Sequence, residues 1–452
     1  MPTKVAKFGG TSLASADQIR KVTRIVQQSP ERRYVVPSAP GKRHPDDTKI
    51  TDLLYLCHEL ASKGLSFDDA FNPIRDRFMD IVEQLDLGLD LSPVLDEAKQ
   101  VIAANGKAGL PADYAASRGE AINGRIIAEA LGWAYIDPVE LIHFDERGRL
   151  DEHKTYASVR QRLGDVAHAV IPGFYGQAHD GTTQTFSRGG SDVTGAIIAR
   201  GVGADAYENW TDVHGLLITD PRVVPGAFTI ETVTYRELRE LSYSGASVLH
   251  DEAVFPVREA NIPVNIRNTN DPEHPGTMIV SADHPRAKQS YPITGIAGRK
   301  DFTIIQIEKS MMNSEIGFGK RVLEVLADYK VSFEHIPSGI DTLSVVIEDI
   351  AIEGKLDDMV ASIRAAVRPD NIDVDDNLAL IATVGRGMAQ QTGTSAKLFG
   401  ALGAAGVNIR MIDQGSSEMN IIVGTDVGDF EKAVQAIYHA FVTETTQPRV
   451  LV

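Results

Sequence analysis

The sequence predicts an α/β chain: a sandwich on a mostly parallel sheet over roughly the first 290 residues, then two copies of a smaller α+β module. Three observations predict it. Short β-branched apolar runs alternate with longer helical patterns, the texture changes after about residue 299, and a gapless internal repeat follows.

The runs at 5–8, 34–37, 169–172, 206–210 and 264–267 are short, apolar and bounded by turn residues, as buried strands are. Between them, 16–28, 52–63, 68–84, 93–105, 120–131 and 192–201 carry apolar residues at helical spacing. Alternation of this kind favours parallel neighbours joined by helical crossovers. Segment 37–48 (PSAPGKRHPDDT) is rich in Pro, Gly and charge and reads as a mobile loop, either solvated or a lid beside a phosphate site.

The repeat sets 317–336 on 393–412. Val322, Leu323 and Leu326 fall on Leu398, Phe399 and Leu402, and Val331, Phe333 and Ile336 fall on Val407, Ile409 and Ile412. The same offset places 345–347 on 421–423 and 304–305 on 380–381. Each copy reads as a βαββαβ-type module. Pairing the copies, within or between chains, covers the sheet edge or face that one copy leaves bare.

The 452 residues include 45 Lys+Arg and 62 Asp+Glu, a formal charge of −17. That balance argues against nucleic acid or an anionic membrane as the main partner, since both require a basic face. A small anionic substrate needs only a few local cations. The single cysteine, Cys57, excludes an intrachain disulfide and a Cys-rich metal site, and its apolar surroundings read as core. No apolar run approaches the ~18 residues of a membrane span, and MPTKVAKFGG has no signal-peptide core. The expected location is the cytoplasm. Walker A, GxGxxG after the first strand, HExxH, CxxC and GxSxG patterns are missing, which sets aside the chemistries they carry.

Two glycine-rich strand-to-helix turns remain. Lys7-Phe8-Gly9-Gly10-Thr11-Ser12 closes the first strand and opens a helix from about Ala14. Paired glycines let backbone amides approach an oxyanion, and Lys7 adds a cation; a tight turn with a solvated lysine has the same pattern. Ser187-Arg188-Gly189-Gly190-Ser191-Asp192 precedes the helix at 192–201, with Ser191 or Asp192 as an ordinary N-cap. Arg188 offers a planar fork for a carboxylate. A place for phosphate and one for a carboxylate suggest phosphoryl transfer to an acid. Thr211-Asp212-Val213-His214-Gly215 and Thr219-Asp220-Pro221-Arg222 read as loops, or as nucleotide contacts. Glu120, expected in the first turn of its helix, serves as a dipole partner or, if buried, binds an ammonium.

Taken together, KFGGTS, RGE at 118–120, SRGGSD at 187–192, TDV-x-G with TDPR at 211–222, GASVLH at 245–250 and two ACT-type repeats resemble the aspartokinase family over essentially the whole chain. The resemblance implies an amino acid kinase three-layer sandwich at 1–292, one ACT module at 293–375 and a second at 376–452. If the modules interleave, as is common in the family, 293–299 joins the second. The implied reaction is ATP + L-aspartate → 4-phospho-L-aspartate + ADP, the first step toward lysine, threonine and methionine. Catalysis falls to Lys7, Asp192 and Arg188. Ser38, Thr51, Glu120, Arg188, Ser191 and Asp192 match the aspartate site; Lys7, Gly9, Gly10, Thr11, Thr211, Asp212, Leu217 and Arg222 match the nucleotide site. Mg²⁺ is expected on the ATP phosphates, with no protein-held metal.

Ser247 stands where several relatives have a lysine that reaches the phosphates. The implied partners are L-aspartate, ATP, an amino-acid effector and further copies of the chain, joined through the ACT modules as a homodimer or higher oligomer. The effector is expected at Met312, Glu315, Gly317, Phe318, Ser332, Phe333 and Glu334. Glu315 and Glu334 favour lysine over threonine, and the second copy has Arg410 where Glu334 stands. Competing readings are glutamate 5-kinase or UMP kinase on the same fold, neither expected to carry tandem ACT modules, and a catalytically silent amino-acid sensor. Lys7, Arg188, Asp192 and Glu120 argue against the sensor.

Overall fold

The structure, a computed structural model, describes residues 2–187, 189–246, 251–287 and 292–443. It divides into two compact units. The first takes the residues up to Leu216, Thr229–Tyr235 and the described part of Val248–Ala287; the second takes Leu217–Phe228 and the described parts of Arg236–Ser247 and Lys288–Val452.

The strands of the first unit are β1 (Lys4–Phe8), β2 (Arg32–Pro37), β3 (Ala134–Tyr135), β4 (Ala169–Val170), β5 (Tyr175–Gln177), β6 (Thr183–Thr185), β7 (Ala206–Thr211), β8 (Thr232–Thr234), β9 (Val264–Asn268) and β10 (Thr277–Val280). Its helices are α1 (Ala16–Gln27), α2 (Ile50–Ser62), α3 (Asp68–Gln84), α4 (Ser92–Lys107), α5 (Asp113–Leu131), α6 (Glu152–Leu163), α7 (Gly190–Val202) and α9 (Phe255–Glu259); α8 (Tyr235–Tyr243) begins here and continues in the second unit. The sheet order is β3-β4-β2-β1-β7-β9-β10-β8, parallel at every ladder except β9–β10, and β5–β6 form a separate hairpin. Central strands buried on both faces explain the apolar runs read from the sequence. Phe8, Phe71, Ile74, Phe78, Leu95, Ile102, Ile122, Ile126 and Trp210 share one core between sheet and helices. Gly106 lets α4 cross α2 closely, because a Cβ there would lie 2.6 Å from that of Ala61. Cys57 is buried in this core, which pushes its thiol up to about 12 and leaves it unreactive.

Two sequence expectations shift. The helix expected to open at Glu120 opens at Asp113, so Glu120 lies two turns inside it. The Ala and Gly residues of DYAASRGEAING fit a crowded buried helix but blur its apolar period. The glycine turn of 9–10 leads into a short 3₁₀ turn, Gly10–Leu13, and α1 is capped separately by the Ser15 hydroxyl, which accepts from the Gln18 amide.

The second unit contains β11 (Gly295–Glu308), α10 (Phe318–Asp328), β12 (Thr342–Glu348), α11 (Asp349–Ile352), α12 (Leu356–Val367), β13 (Asn371–Val384), α13 (Thr394–Ala404), β14 (Ile409–Asp413), β15 (Asn420–Asp426) and α14 (Phe430–Tyr438). One antiparallel sheet runs β12-β11-β13-β15-β14. The repeat is physical: α10 and α13 start at equivalent positions, each behind a glycine, Gly317 and Gly393, whose φ of 82° and 86° side chains rarely adopt. Both long strands serve both copies. The Phe302–Glu308 half of β11 pairs with β12, and Ile305 and Ile307 share a core with Val322 and Leu326. Its earlier half pairs with 380–384 of β13, and Ile293 and Ile296 pack with Leu398, Leu402 and Ile421. The changeover falls at a register shift between Arg299 and Phe302, with Asp301 at φ 73°. The strand expected after α10 appears only as bridges, His335 to Val346 and Ser338 to Leu343. Pro337 interrupts it, having no N–H to give the ladder.

Candidate active site

Parallel strands aim their carboxyl ends at one edge of the sheet, and neighbours bring remote residues together there. β1 lies beside β7 with Lys7 opposite Asn209. The buried Lys7 Nζ is 2.6 Å from Asp192 Oδ1 in the first turn of α7. Asn209 completes a triangle: its Oδ1 is 3.4 Å from Lys7 Nζ, and its Nδ2 donates to Asp192 Oδ1 at 2.8 Å. Low local dielectric strengthens such a pair and demands that every member be satisfied. Lys7 and Asp192, expected on opposite substrates, are thus partners here. Asp192 is no cap: Gly189, at φ 56°, is the N-cap of α7 without a side-chain bond. Ser191 is buried against Gly173, where a Cβ would meet its hydroxyl at 2.5 Å.

Gly9 has φ −71°, open to any residue, so its conformation does not require glycine. A Cβ there would sit 3.7 Å from Lys7 Nζ, so its absence keeps the space beside the ammonium open. The Gly9 amide is already committed to Trp210 O at 2.9 Å, which corrects the expectation that it donates to phosphate. Gly10 and Thr11 head the 3₁₀ turn, where first amides have no partner within the turn. Gly10 also accepts close approach of the next loop, whose Gly41 amide donates to Gly10 O at 2.8 Å.

Glu120 is buried in α5, and its Oε2 makes no hydrogen bond. Burial pushes its carboxyl up to about 8, with the Ala39 backbone amide pulling the other way. The dipole-partner reading therefore falls, and the buried-acid reading stands. Ser38 is held beside this helix: its amide donates to Phe8 O at 3.0 Å, and its carbonyl accepts from Asn123 at 2.7 Å. Thr51 is the second residue of α2 and half-buried. Thr211 ends β7, its hydroxyl 3.2 Å from exposed Asp212. Leu217 and Arg222 belong to the second unit, where the exposed Arg222 pairs with Asp220 at 2.6 Å. Arg188 and Ser247 lie outside the described residues.

The sequence reading missed three residues. Asn209 had a signal, a polar side chain inside the buried strand AYENWT. Arg77 had one too: it follows Ile74 by three and precedes Phe78, on the apolar face of α3. Its guanidinium donates to Ala14 O, Gly41 O and Asp47, so the 37–48 segment, read as mobile, is tied to a helix at Gly41 and Asp47. Asp47, third, is held well below the usual carboxylate range by hydrogen bonds from Arg43 and then Arg77.

In the second unit, Met312 and Phe318 are core residues under the sheet, and Gly317 caps α10. Glu315 is paired with Lys309 at 2.5 Å and with Arg321. Glu334 is 3.5 Å from an Arg299 nitrogen, and its amide bonds Val346 O; Ser332 and Phe333 are exposed. Lys309 and Arg299 are ten residues apart along an extended strand, roughly 30 Å at the rise of β structure. One chain therefore does not bring Glu315 and Glu334 into a single site, and each already has a cation.

The parallel sandwich, with a lysine and a glycine turn at the end of a central strand and an aspartate in the first turn of α7, has the make-up of an amino acid kinase. Residues 2–268 match the model of the Amino acid kinase family, and 381–441 match an ACT domain. The chain is 38% identical to Aspartokinase 3 of Bacillus subtilis, over 97% of this chain and 98% of the relative. It superposes on the crystal structure of Clostridium acetobutylicum aspartate kinase with TM-score 0.89 at 50% identity, covering 98% of this chain and 100% of that one. E. coli aspartokinase III, solved with aspartate and ADP in an R-state and with lysine and aspartate in a T-state, matches with TM-score 0.73 at 25% and 26% identity, over 97% of this chain and 99% of each. The chain belongs to the aspartokinase family.

Proposed function

We propose that the protein transfers the γ-phosphoryl group of ATP to the side-chain carboxylate of L-aspartate, giving 4-phospho-L-aspartate and ADP, under feedback from an amino acid bound at its ACT modules. The observation that carries this reading is the Lys7–Asp192–Asn209 triangle beside the glycine turn. The attacking carboxylate is already ionised near neutral pH, so no strong base is required. The chain supplies position and charge. Lys7 neutralises charge developing on the transferred group; the amides of Gly10 and Thr11 donate to phosphate oxygens; Thr211 and Asp212 hold the nucleotide. As phosphate draws Lys7 away, Asp192 is released toward the substrate ammonium, which Glu120 also faces. Ser38, Thr51 and Ser191 line the aspartate side, and Arg188 takes its α-carboxylate.

Mg²⁺ is expected to arrive on the nucleotide phosphates. Bound there, it neutralises phosphate charge. Lysine is the proposed effector, with Glu334 as the acid that would meet its ammonium in place of Arg299, and the lysine-bound T-state of the E. coli relative supports the choice. We place the enzyme in the cytoplasm, as a homo-oligomer through its ACT modules. No described helix is long and apolar enough to cross a membrane.

An aspartyl-hydroxamate assay with ATP and Mg²⁺ tests the reaction. Hydroxamate is expected with L-aspartate and not with L-glutamate, and UMP should give no ADP. A folded protein that binds amino acids yet forms no acyl phosphate would be the silent sensor instead.

A further inference from the structure

Arg77 is a buried cation at a helix position where the rest of the face is apolar. Burying a guanidinium is costly unless it is both paired and fully bonded. Arg77 meets that condition by bonding two loops at once. Its Nη2 donates to Ala14 O at 2.7 Å and to Gly41 O at 2.8 Å; Nε reaches Ala14 O at 3.2 Å; Nη1 meets Asp47 Oδ2 at 2.9 Å. Ala14 closes the 3₁₀ turn that Gly10 opens. Gly41 is the residue whose amide bonds Gly10 O, and a Cβ on Gly41 would come within 2.6 Å of Gly10 C. Asp47 is further fixed by Arg43, through its amide at 2.9 Å and its guanidinium at 2.9 and 3.0 Å. The glycine turn after β1 and the loop after β2 are therefore held in one register by a single planar group.

We propose that Arg77 is a positioning residue for phosphoryl transfer, clamping the Gly9-Gly10-Thr11 turn against the 39–47 loop. It acts through the loops it bonds. The inference rests on the aspartate-kinase reading above, because it assigns the amides of that turn to the phosphates. A guanidinium suits this task where an ammonium does not: three acceptors in fixed directions need a fork. Misplacement of catalytic groups by about 1 Å can cost on the order of 10²-fold in rate without abolishing binding.

The test compares wild type, Arg77→Lys, Asp47→Asn and the double variant, with thermal unfolding and steady-state kinetics on the same preparations. For Arg77→Lys we expect kcat to fall about ten- to a hundredfold while the KM values for ATP and aspartate stay within about threefold. Asp47→Asn, which leaves Arg77 in place, should lower kcat in the same direction. The double variant should lose no more than the worse single one, because both break the same clamp. If Arg77→Lys does not fold, Asp47→Asn alone decides by the same kcat-against-KM split. A folded variant that melts earlier yet keeps wild-type kcat would show a purely structural arginine and overturn the proposal; so would a rise in KM for ATP at unchanged kcat. Wild type that makes no acyl phosphate defeats the functional reading; active wild type matched by Arg77→Lys defeats only the clamp.

Discussion

Glu120 shows what one side chain does when the fold strips it of water. With Oε2 unbonded and its carboxyl pushed up to about 8 by burial, it stays largely protonated near neutrality. On the proposed function, a substrate ammonium docking beside it would restore the charge and expel the proton. Aspartate binding is then linked to proton release, and the KM for aspartate should fall as pH rises from about 6.5 to 8.5. Glu120→Gln should flatten that dependence; initial-rate measurements across this range check it, and a parallel slope in the variant would remove Glu120 from the ammonium site. The same shift affects stability. The folded chain retains a proton that the unfolded chain loses between the ordinary value of 4.5 and about 8, so stability should fall as pH rises through that window. Glu120→Gln should show a smaller drop in Tm between pH 6 and 9.

At the scale of elements, glycines report where backbone approaches backbone. Gly298 sits where the first half of β11 lies against β13, and a Cβ there would meet Leu380 O and the Phe430 ring, both at 2.7 Å. Neither a ladder carbonyl nor a buried ring at the start of α14 can move freely. Gly298→Ala should cost about 1–3 kcal/mol through overpacking. Gly319, early in α10, faces open space, and Gly319→Ala should stabilise by about 0.5–1 kcal/mol. Denaturant unfolding of the two variants checks the contrast, and equal shifts would mean that the β11–β13 contact is looser than its geometry. The helices expected from periodicity formed with boundary shifts of a few residues, except α5, where small residues outnumber apolar ones. Two-residue strands such as β3 and β4 carry too few side chains for any period. The α6 helix, with Tyr156, Val159 and Leu163 buried among charges, was also missed, because its apolar stripe is one residue wide.

At the scale of the molecule, the proposed effector acid sits in a network of the second unit that includes the end of α8. From Arg236 onward α8 belongs to the second unit. Its buried Glu237 accepts from the Thr294 hydroxyl at 2.6 Å and the Arg386 amide at 3.2 Å. Tyr243, at its end, has its hydroxyl pushed up to about 12 by partial desolvation and by the nearby Glu334 carboxylate. Arg299 lies 5.8 Å from the Tyr243 ring and 3.5 Å from Glu334. A cationic effector that uses Glu334 must therefore displace Arg299. Lysine inhibition should weaken at least tenfold in Glu334→Ala and strengthen in Arg299→Ala, and by reciprocity lysine and aspartate should weaken each other by one common factor. Inhibition by threonine, with millimolar lysine inert, would show that the acids at 315 and 334 serve only their internal partners.

The sequence by itself determined what is local. Strand and helix alternation, the glycine turn after Lys7, the aspartate and glycines at the start of α7, and the repeat in the second half are each read from local stretches of chain, where side-chain period and backbone preference act directly. Only the tertiary structure decided what depends on neighbours remote in sequence. Lys7 meets Asp192 because β1 docks beside β7; Glu120 loses water because α5 is packed from several sides; Arg77 binds two loops that come together only around the sheet edge. β11 and β13 serve both copies because they pair past the point where the repeat changes copy. Periodicity records which face of an element is apolar, and carries no record of which other element will cover it.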